Sequence, residues 1–371
     1  MNVTRLTAFI FFLFLVHTTS SQYNARDEAT TFVSIKNKAA QTDIYYKAEP
    51  STLRKAFQQL EALMDRRLAG SFVLGHTKSG QPVAAYYFPG TGNKRAVVIG
   101  GMHGSELSSI EVARRLIVQL EQDIVTDYHV LIIPSLFPDN ARKALQHPSE
   151  IGNEKNIGRY TSDHHPDPNR QMPAPGKAFY DGIPYDMHGR NIEQENQWLL
   201  QTIQAFNPER ILNIHAVRNV EKAGIFADPR TDAESIALGF APDSTLAVRM
   251  AAFIASQGGK PGGNQLGVTP TAIYHHDFQP VGKGEHQLRN LAGSRLPAMR
   301  GSGASLGTWA STAVKDIGYS RPAITIVTME FPGSKRPEDY PLKEQQSWCK
   351  EEIERYASSI SQIFLNQNFQ N

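Results

Sequence analysis

An imidazole and a carboxylate stand three positions apart in this sequence, directly after a short apolar run. Residues 96–99 have the pattern of a buried strand, and the sequence Gly-Gly-Met-His103-Gly-Ser-Glu106 follows them. Ligands gather at strand ends in parallel α/β sheets, and histidine with glutamate supplies two of the usual ligands of a catalytic zinc ion. Taken alone, an H-x-x-E pair is weak evidence for a metal site, and a structural or surface histidine is the commoner case.

A second histidine adds to that pair. His215 ends the apolar run 211–214, just as His103 follows residues 96–99. Two imidazole nitrogens and one carboxylate leave a fourth position open, which is the arrangement of a catalytic zinc site. The sequence therefore predicts one Zn²⁺ per chain, bound by His103, Glu106 and His215.

Two further motifs could bind substrate and transfer protons. Asn169 and Arg170 lie in a proline-rich loop, where the planar guanidinium suits a substrate carboxylate. Glu330 follows the strand pattern at 323–329, and a general base in a cleft would occupy such a position. The alternative interpretations are a solvated arginine in a surface loop and a capping or paired glutamate.

The elements that must position these residues alternate between strand and helix patterns. Strands are predicted at 72–75, 83–88, 96–99, 129–133, 210–214 and 323–328. Helices are predicted at 51–64, 110–120, 194–206, 244–256 and 343–364. This order predicts an α/β fold: a single domain with a mixed, largely parallel central sheet and helices on both faces.

Composition excludes several classes of protein. The chain has 371 residues, a net charge of +2 and one cysteine, Cys349, so it is not built on disulfides. Hydrophobic residues make up 40%, which excludes wholesale disorder. The near-neutral charge gives no sign of a nucleic-acid partner. Cys349 lies in a helical pattern beside Trp348 and is expected to pack in the core.

The first residues have the pattern of an export signal. Arg5 precedes an apolar run at 6–16 that is too short to span a bilayer, and small polar residues follow it. We expect a signal peptide at 1–21, with a retained anchor as the alternative. Residues 22–50 are predicted to be a polar arm, and 51–366 the catalytic domain of an exported protein without membrane contact after signal cleavage.

Taken together, the motifs resemble the zinc metallocarboxypeptidases of the carboxypeptidase A type. That family has H-x-x-E, then Asn-Arg, then a histidine on a strand, then a glutamate at a late strand end. The matching residues here, in the same order, are His103, Glu106, Asn169, Arg170, His215 and Glu330. Residues 101–106 and 137–140 are closer to the murein-peptide amidases and to the succinylglutamate desuccinylase and aspartoacylase branch. The interval before Glu330 is longer than in the pancreatic enzymes, as though 240–308 were expanded.

The resemblance implies hydrolysis of a peptide bond, or a similar amide, next to a substrate carboxylate. Glu330 would take the proton of a zinc-activated water and return it to the leaving amine. Asn169 and Arg170 would bind the terminal carboxylate. Because the protein is expected to be exported, peptide substrates are favoured, including the muropeptides of cell walls.

Other roles in the family match this sequence less cleanly. Arg159 is the first choice for stabilising the oxyanion and Arg142 the second. Tyr274 and Tyr319 are candidates for the family's mobile tyrosine. Lys315 stands roughly where the pancreatic enzymes carry a specificity residue, and a basic pocket there would favour acidic side chains.

Two rival functions share these features, and some motifs are decoys. A deacylase of small N-acyl amino acids would use the same zinc ligands, and a non-catalytic binding protein would keep only the fold. The G-x-S-x-G match around Ser305 fails as a nucleophile elbow, because no histidine follows His286. The pairs His164-His165 and His275-His276 are predicted to be solvated, since adjacent histidines chelate one metal poorly.

Overall fold

The core of the fold is a seven-stranded mixed sheet. This computed structural model describes residues 33–37, 42–46, 51–122, 124–161, 166–239, 241–261 and 302–367. The strands of the sheet are β3 (Gly70–His76), β4 (Pro82–Phe88), β5 (Arg95–Ile99), β6 (His129–Ile133), β7 (Arg210–Val217), β8 (Gly224–Ala227) and β13 (Thr325–Pro332). Their order is β3-β4-β6-β5-β7-β13-β8.

The direction of the strands changes from the centre of the sheet to its edges. The ladders β6–β5, β5–β7 and β7–β13 are parallel, whereas β3–β4, β4–β6 and β13–β8 are antiparallel. All five residues of β6 are buried, as expected for a central strand covered on both faces. The predicted mixed α/β sheet is confirmed, and its parallel part is the central four strands.

Helices cover both faces of the sheet. They are α1 (Ser51–Arg66), α2 (Leu107–Glu121), α3 (Pro138–Ala144), α4 (Gln194–Phe206), α5 (Ala241–Ser256), α6 (Leu306–Ser311) and α7 (Lys343–Ser359), which continues as a π-helical turn, Ile360–Phe364. Side chains of β5 alternate between the two faces. Ala96 and Val98 pack with α2, α5 and α7, whereas Val97 and Ile99 pack with α1, α4 and α6.

The remaining strands form small ladders outside the main sheet. They are β1 (Val33–Asn37) with β2 (Thr42–Tyr46), β9 (Arg230–Thr231) with β10 (Ala237–Gly239), and β11 (Val314–Asp316) with β12 (Tyr319–Arg321). The first pair lies in the region predicted to be a polar arm. The predicted signal at 1–21 lies outside the described residues. No helix among the described residues is long and apolar enough to cross a membrane.

Two strands are longer than the sequence pattern indicated. Strand β7 continues through His215 to Val217, and β13 continues through Glu330 to Pro332. The prediction that Glu330 follows its strand is therefore wrong. The backbone ladder between β7 and β13 continues beyond the apolar runs, so His215 and Glu330 lie within their strands, two residues before the last position of each.

Candidate metal centre

Three side chains converge beyond the carboxyl end of β5 and within the last residues of β7. His103, Glu106 and His215 are buried and can each offer a ligand atom, and these atoms all lie within 4.8 Å of one another. The Nδ1 atom of His103 is 2.9 Å from Glu106 Oε1, and the Nδ1 atom of His215 is 3.0 Å from Glu106 Oε2. Among the described residues this is the only set of three such side chains that could hold a metal ion.

The glycine-rich turn after β5 brings His103 and Glu106 into this position. Gly101 has a φ of 66°, in the left-handed region that favours glycine. A Cβ at Gly104 would lie 2.2 Å from the backbone of Asn140 on α3. The turn therefore packs directly against α3, and Glu106 comes immediately before the first residue of α2.

Strand register places His215 and Glu330 side by side. They are partners in the parallel ladder of β7 and β13, so both side chains point to the same face of the sheet. Their neighbours Ile214 and Met329 point to the opposite face, into the core that contains α2 and α7. Glu330 is partly exposed, whereas His215 is buried. A solvent-accessible carboxylate thus stands next to the three clustered side chains.

The Nε2 atoms of both imidazoles, which point away from Glu106, are also hydrogen-bonded. Asp167 Oδ1 lies 2.7 Å from Nε2 of His103, and the side-chain amide of Asn213 lies 2.9 Å from Nε2 of His215. If Nδ1 of His215 binds a metal, Nε2 carries the proton and needs an acceptor. Asn213 Oδ1 is buried without a hydrogen-bond partner, and it accepts this proton when the amide is turned over. The donor set and its supports therefore fit a bound metal ion.

Opposite charges inside the cluster determine its protonation. Burial disfavours the charged form of His103, but Asp167 and Glu106 outweigh this effect and raise the pKa of His103 to about 9. Burial also opposes ionisation of Glu106, yet the two histidines hold the pKa of its carboxyl well below the usual range. Two carboxylates thus stay ionised in a buried site that can accept cationic charge.

An arginine predicted from the sequence joins the same cluster. Arg159 donates from Nη1 to Glu106 Oε1 at 3.0 Å, and its Nη2 is 3.7 Å from Asp167 Oδ2. Burial opposes its charge, but these two carboxylates raise the pKa of Arg159, so it remains a cation. The second candidate, Arg142, is largely exposed and donates to Ser79 Oγ at 2.6 Å, outside this cluster.

The loop predicted to bind substrate lies against the cluster. Asp167 begins a single 3₁₀ turn, Pro168–Arg170, and accepts the N–H of Asn169 at 2.8 Å. The amide of Asn169 is 3.4 Å from His215 Nε2, and its Oδ1 accepts the N–H of Leu306 at 3.0 Å. Arg170 is partly exposed. Burial lowers its pKa, against the opposing effect of Asp167.

Several other residues singled out in the sequence are placed elsewhere or not described. Lys315 is exposed on β11, and Tyr319 packs with Ala178 and Val314. Ser305 has extended backbone just before α6, is the N-cap of that helix and accepts the N–H of Thr308. Cys349 is buried in the core as expected. Tyr274, His164, His165, His275 and His276 lie outside the described residues.

Sequence reasoning missed two residues of the centre. Asp167 and Asn213 are not among the residues predicted from the sequence to form the site, although each contacts an imidazole of the centre. Asp167 stands two residues before Asn169 in a loop already linked to substrate, which was a usable signal. Asn213 interrupts an apolar strand two residues before His215, so both point to one face.

Comparisons with known proteins add similar structures but no family assignment. No family profile and no curated protein matches the chain. The chain is similar to a metallopeptidase candidate from Shewanella amazonensis, with 14% identity, a TM-score of 0.46, and 91% of this chain and 99% of that chain covered. It is also similar to bovine thrombin-activatable fibrinolysis inhibitor, with 14% identity, a TM-score of 0.45, and 85% of this chain and 98% of that chain covered. Carboxypeptidase A from Helicoverpa armigera is similar at 13% identity and a TM-score of 0.45, with 85% of this chain and 74% of that chain covered. At these TM-scores, fold and activity must be argued from the chain's own strands and side chains.

Proposed function

We propose that this chain is an exported, zinc-dependent metallocarboxypeptidase that hydrolyses a peptide or peptide-like amide bond next to a substrate carboxylate. The observation that carries the proposal is the buried set of His103, Glu106 and His215, with possible ligand atoms within 4.8 Å of one another. Glu330 stands beside this set on the neighbouring strand. A ligand set and a separate carboxylate base are the minimum equipment of a zinc hydrolase.

The donor atoms favour zinc over other common metals. Two imidazole nitrogens and one carboxylate suit Zn²⁺, whereas Mg²⁺ and Ca²⁺ prefer sites built from oxygen atoms. Three protein ligands also leave a coordination position for a reactant. When bound there, Zn²⁺ would polarise the scissile carbonyl and make the attacking water more acidic.

The chain's own residues would carry the proton through the reaction. Glu330 is partly exposed, so water can reach its carboxylate, and it faces the same side of the sheet as His215. It would accept a proton from the attacking water and then donate that proton to the leaving amine nitrogen. Arg159, held cationic beside Glu106, would stabilise the negative charge that develops on the carbonyl oxygen.

The loop of Asn169 and Arg170 would bind the substrate carboxylate. Arg170 Nη1 donates to the carbonyl of Asn169 at 2.7 Å, which folds the guanidinium back over its own turn. A guanidinium presents a planar fork of N–H donors that matches the geometry of a carboxylate. Because this loop also contacts His215 through Asn169, a bound carboxylate would fix the scissile bond near the ligand set.

Export and a peptide substrate are the finer parts of this proposal. The signal-like pattern at 1–21 supports export, and an exported hydrolase would meet peptides and muropeptides. The decisive experiment is a substrate screen with the zinc-loaded protein, with and without a chelator. Its panel contains peptides with free and amidated C-termini, muropeptides and N-acyl amino acids. Cleavage confined to N-acyl amino acids would support a deacylase instead, and no cleavage at all would support a binding protein.

Glu330→Gln tests the role of the base. We expect the variant to keep about one zinc ion per chain but to lose roughly 10²–10⁴-fold in kcat, because the amide cannot accept the proton of water. Zinc content is measured by elemental analysis and kcat with the best substrate of the screen. Glu344→Gln, at an exposed position on α7, is the matched control and should keep full activity. Full activity in the Glu330 variant would remove this residue from the mechanism.

A further inference from the structure

A buried aspartate and an arginine form a rigid pair between the 3₁₀ turn and α4. The side chain of Asp186 is fully buried, and its Oδ1 accepts the backbone N–H groups of His188 at 2.8 Å and Arg190 at 2.9 Å. Its Oδ2 accepts Nε of Arg190 at 2.6 Å. Gly189, with a φ of 73°, permits the tight turn between them. All of these contacts hold the guanidinium of Arg190 in one direction.

The free end of that guanidinium joins two separate segments of the chain. Nη2 of Arg190 donates to the carbonyl of Arg170 at 2.9 Å and to the carbonyl of Ser302 at 3.0 Å. The first carbonyl belongs to the turn that carries Asn169 and Arg170. The second begins the segment 302–306, which leads into α6. Arg190 therefore links the last residue of the turn to the first residue of segment 302–306.

The two segments are packed too closely to adjust independently. Met172 donates its N–H to the carbonyl of Ala304 at 3.2 Å, and Asn169 Oδ1 accepts the N–H of Leu306. A Cβ at Gly303 would lie 2.2 Å from the carbonyl oxygen of Arg170. A shift of segment 302–306 would thus displace the Arg170 backbone directly.

We propose that Arg190, fixed by Asp186, is a positioning residue that holds Arg170 at the place where the substrate carboxylate binds. The proposal rests on the proposed function and deepens its account of carboxylate binding. Without Arg190, the carbonyls of Arg170 and Ser302 lose a charged donor, and the turn can move relative to the ligand set. A displaced turn would align the guanidinium of Arg170 less well with the substrate carboxylate and so weaken substrate binding.

The chain contains a matched control pair. Arg230 Nε lies 2.7 Å from Asp243 Oδ2, with the arginine side chain 31% exposed and the aspartate 2% exposed. For Arg190 and Asp186 the corresponding values are 2.6 Å, 33% and 0%. The described hydrogen bonds of Arg230 do not involve the turn at Arg170. Substitution of either arginine removes a half-buried ion pair, but only Arg190 contacts the turn at Arg170. An effect seen only with Arg190 can therefore be assigned to the positioning of Arg170.

The test compares Arg190→Ala, Arg230→Ala and Arg170→Ala in the zinc-loaded protein, with one peptide in free-carboxylate and amidated forms. Arg190→Ala should raise KM for the free peptide about tenfold, the effect of one or two charge-assisted hydrogen bonds, with kcat within about twofold. KM for the amidated peptide should not change. In the Arg170→Ala background, Arg190→Ala should have no further effect on KM, because both act on one contact.

Hydrogen exchange supplies a readout that does not depend on activity. Arg190→Ala should speed exchange in peptides covering 167–172 and 302–306, whereas Arg230→Ala should leave both unchanged. If Arg190→Ala does not fold, Arg190→Gln, which keeps one donor, should show the same changes at smaller size. Equal behaviour of the two arginine variants, or additive effects with Arg170→Ala, would overturn the proposal. An inactive wild type would overturn the proposed function, and the exchange comparison would still decide whether Arg190 holds the turn.

Discussion

Two glutamates are almost equally buried in this molecule and have opposite protonation behaviour. Glu106, in the metal centre, is 5% exposed, and Glu195, in the first turn of α4, is 7% exposed. The pKa of Glu106 lies well below its usual range, whereas the pKa of Glu195 is raised from 4.5 to about 7. Burial alone cannot account for the difference, because it acts in the same direction on both carboxylates.

The difference lies in the charged groups around each carboxylate. Glu106 hydrogen-bonds to two imidazoles and to the guanidinium of Arg159. Burial raises the pKa of Glu195, its own backbone N–H opposes this only partly, and the neighbouring carboxylates Glu193 and Asp139 raise it further. The metal centre is therefore a place where cationic partners maintain a buried negative charge, and the start of α4 is not.

Glu106→Gln removes the buried negative charge that distinguishes Glu106 from Glu195, and it has the largest expected effect. The neutral amide removes the buried carboxylate that pairs with His103 and Arg159, which costs about 3–5 kcal/mol of unfolding free energy in the metal-free protein. Zinc content should fall from about one per chain to near zero, and hydrolysis with it. Urea unfolding and elemental analysis measure these changes. A zinc-loaded, active Glu106→Gln protein would contradict the assignment of this residue as a ligand.

Asp167→Asn tests the carboxylate that hydrogen-bonds to one of the predicted metal ligands, His103. Asp167 holds the Nε2 side of His103, so the amide would orient the imidazole less firmly and lower its basicity. We expect zinc affinity to fall about 10–100-fold, measured by competition with a coloured chelator. Asp243→Asn is the control, since Asp243 also pairs with an arginine, Arg230, but away from the cluster; its side chain is 2% exposed, against 23% for Asp167. Equal zinc affinity in both variants would show that Asp167 does not support the ligand.

Much of this fold could be predicted from hydrophobic pattern. The strand His129–Ile133 and the helix Gln194–Phe206 lie where they were predicted, because the strand is an apolar run and the helix carries apolar residues at helical spacing. Strand ends were less accurate. Polar residues such as His215 and Glu330 interrupt the apolar run, yet the backbone ladder continues past them because hydrogen bonding does not depend on side-chain polarity.

Contacts between segments that are distant in the sequence could not be predicted from it. Asp167 meets His103 across 64 positions, and Arg190 reaches Ser302 across 112. Neither contact has a local periodic signal, since loop conformation is set by turns and packing rather than by a repeating pattern. The ligand set was more accessible to prediction because its residues come directly after apolar runs of the sequence, and parallel strands bring their carboxyl ends to one edge of the sheet.

Glu195→Gln tests the raised pKa of the other buried glutamate and has the smallest expected effect. The pKa of Glu195 is higher in the folded protein than in the unfolded chain. Between these two pKa values the carboxyl is therefore protonated in the folded protein and ionised in the unfolded chain. Stability from this group is fully present below about pH 4.5, decreases as pH rises, and is lost above about pH 7. The neutral amide avoids this loss, so the variant should be more stable by about 1–3 kcal/mol at pH 8 and indistinguishable from wild type at pH 4. Urea unfolding at the two pH values measures the difference. A variant that is destabilised at pH 8 would mean that the ionised carboxylate has a cationic partner after all, and that the two buried glutamates are alike.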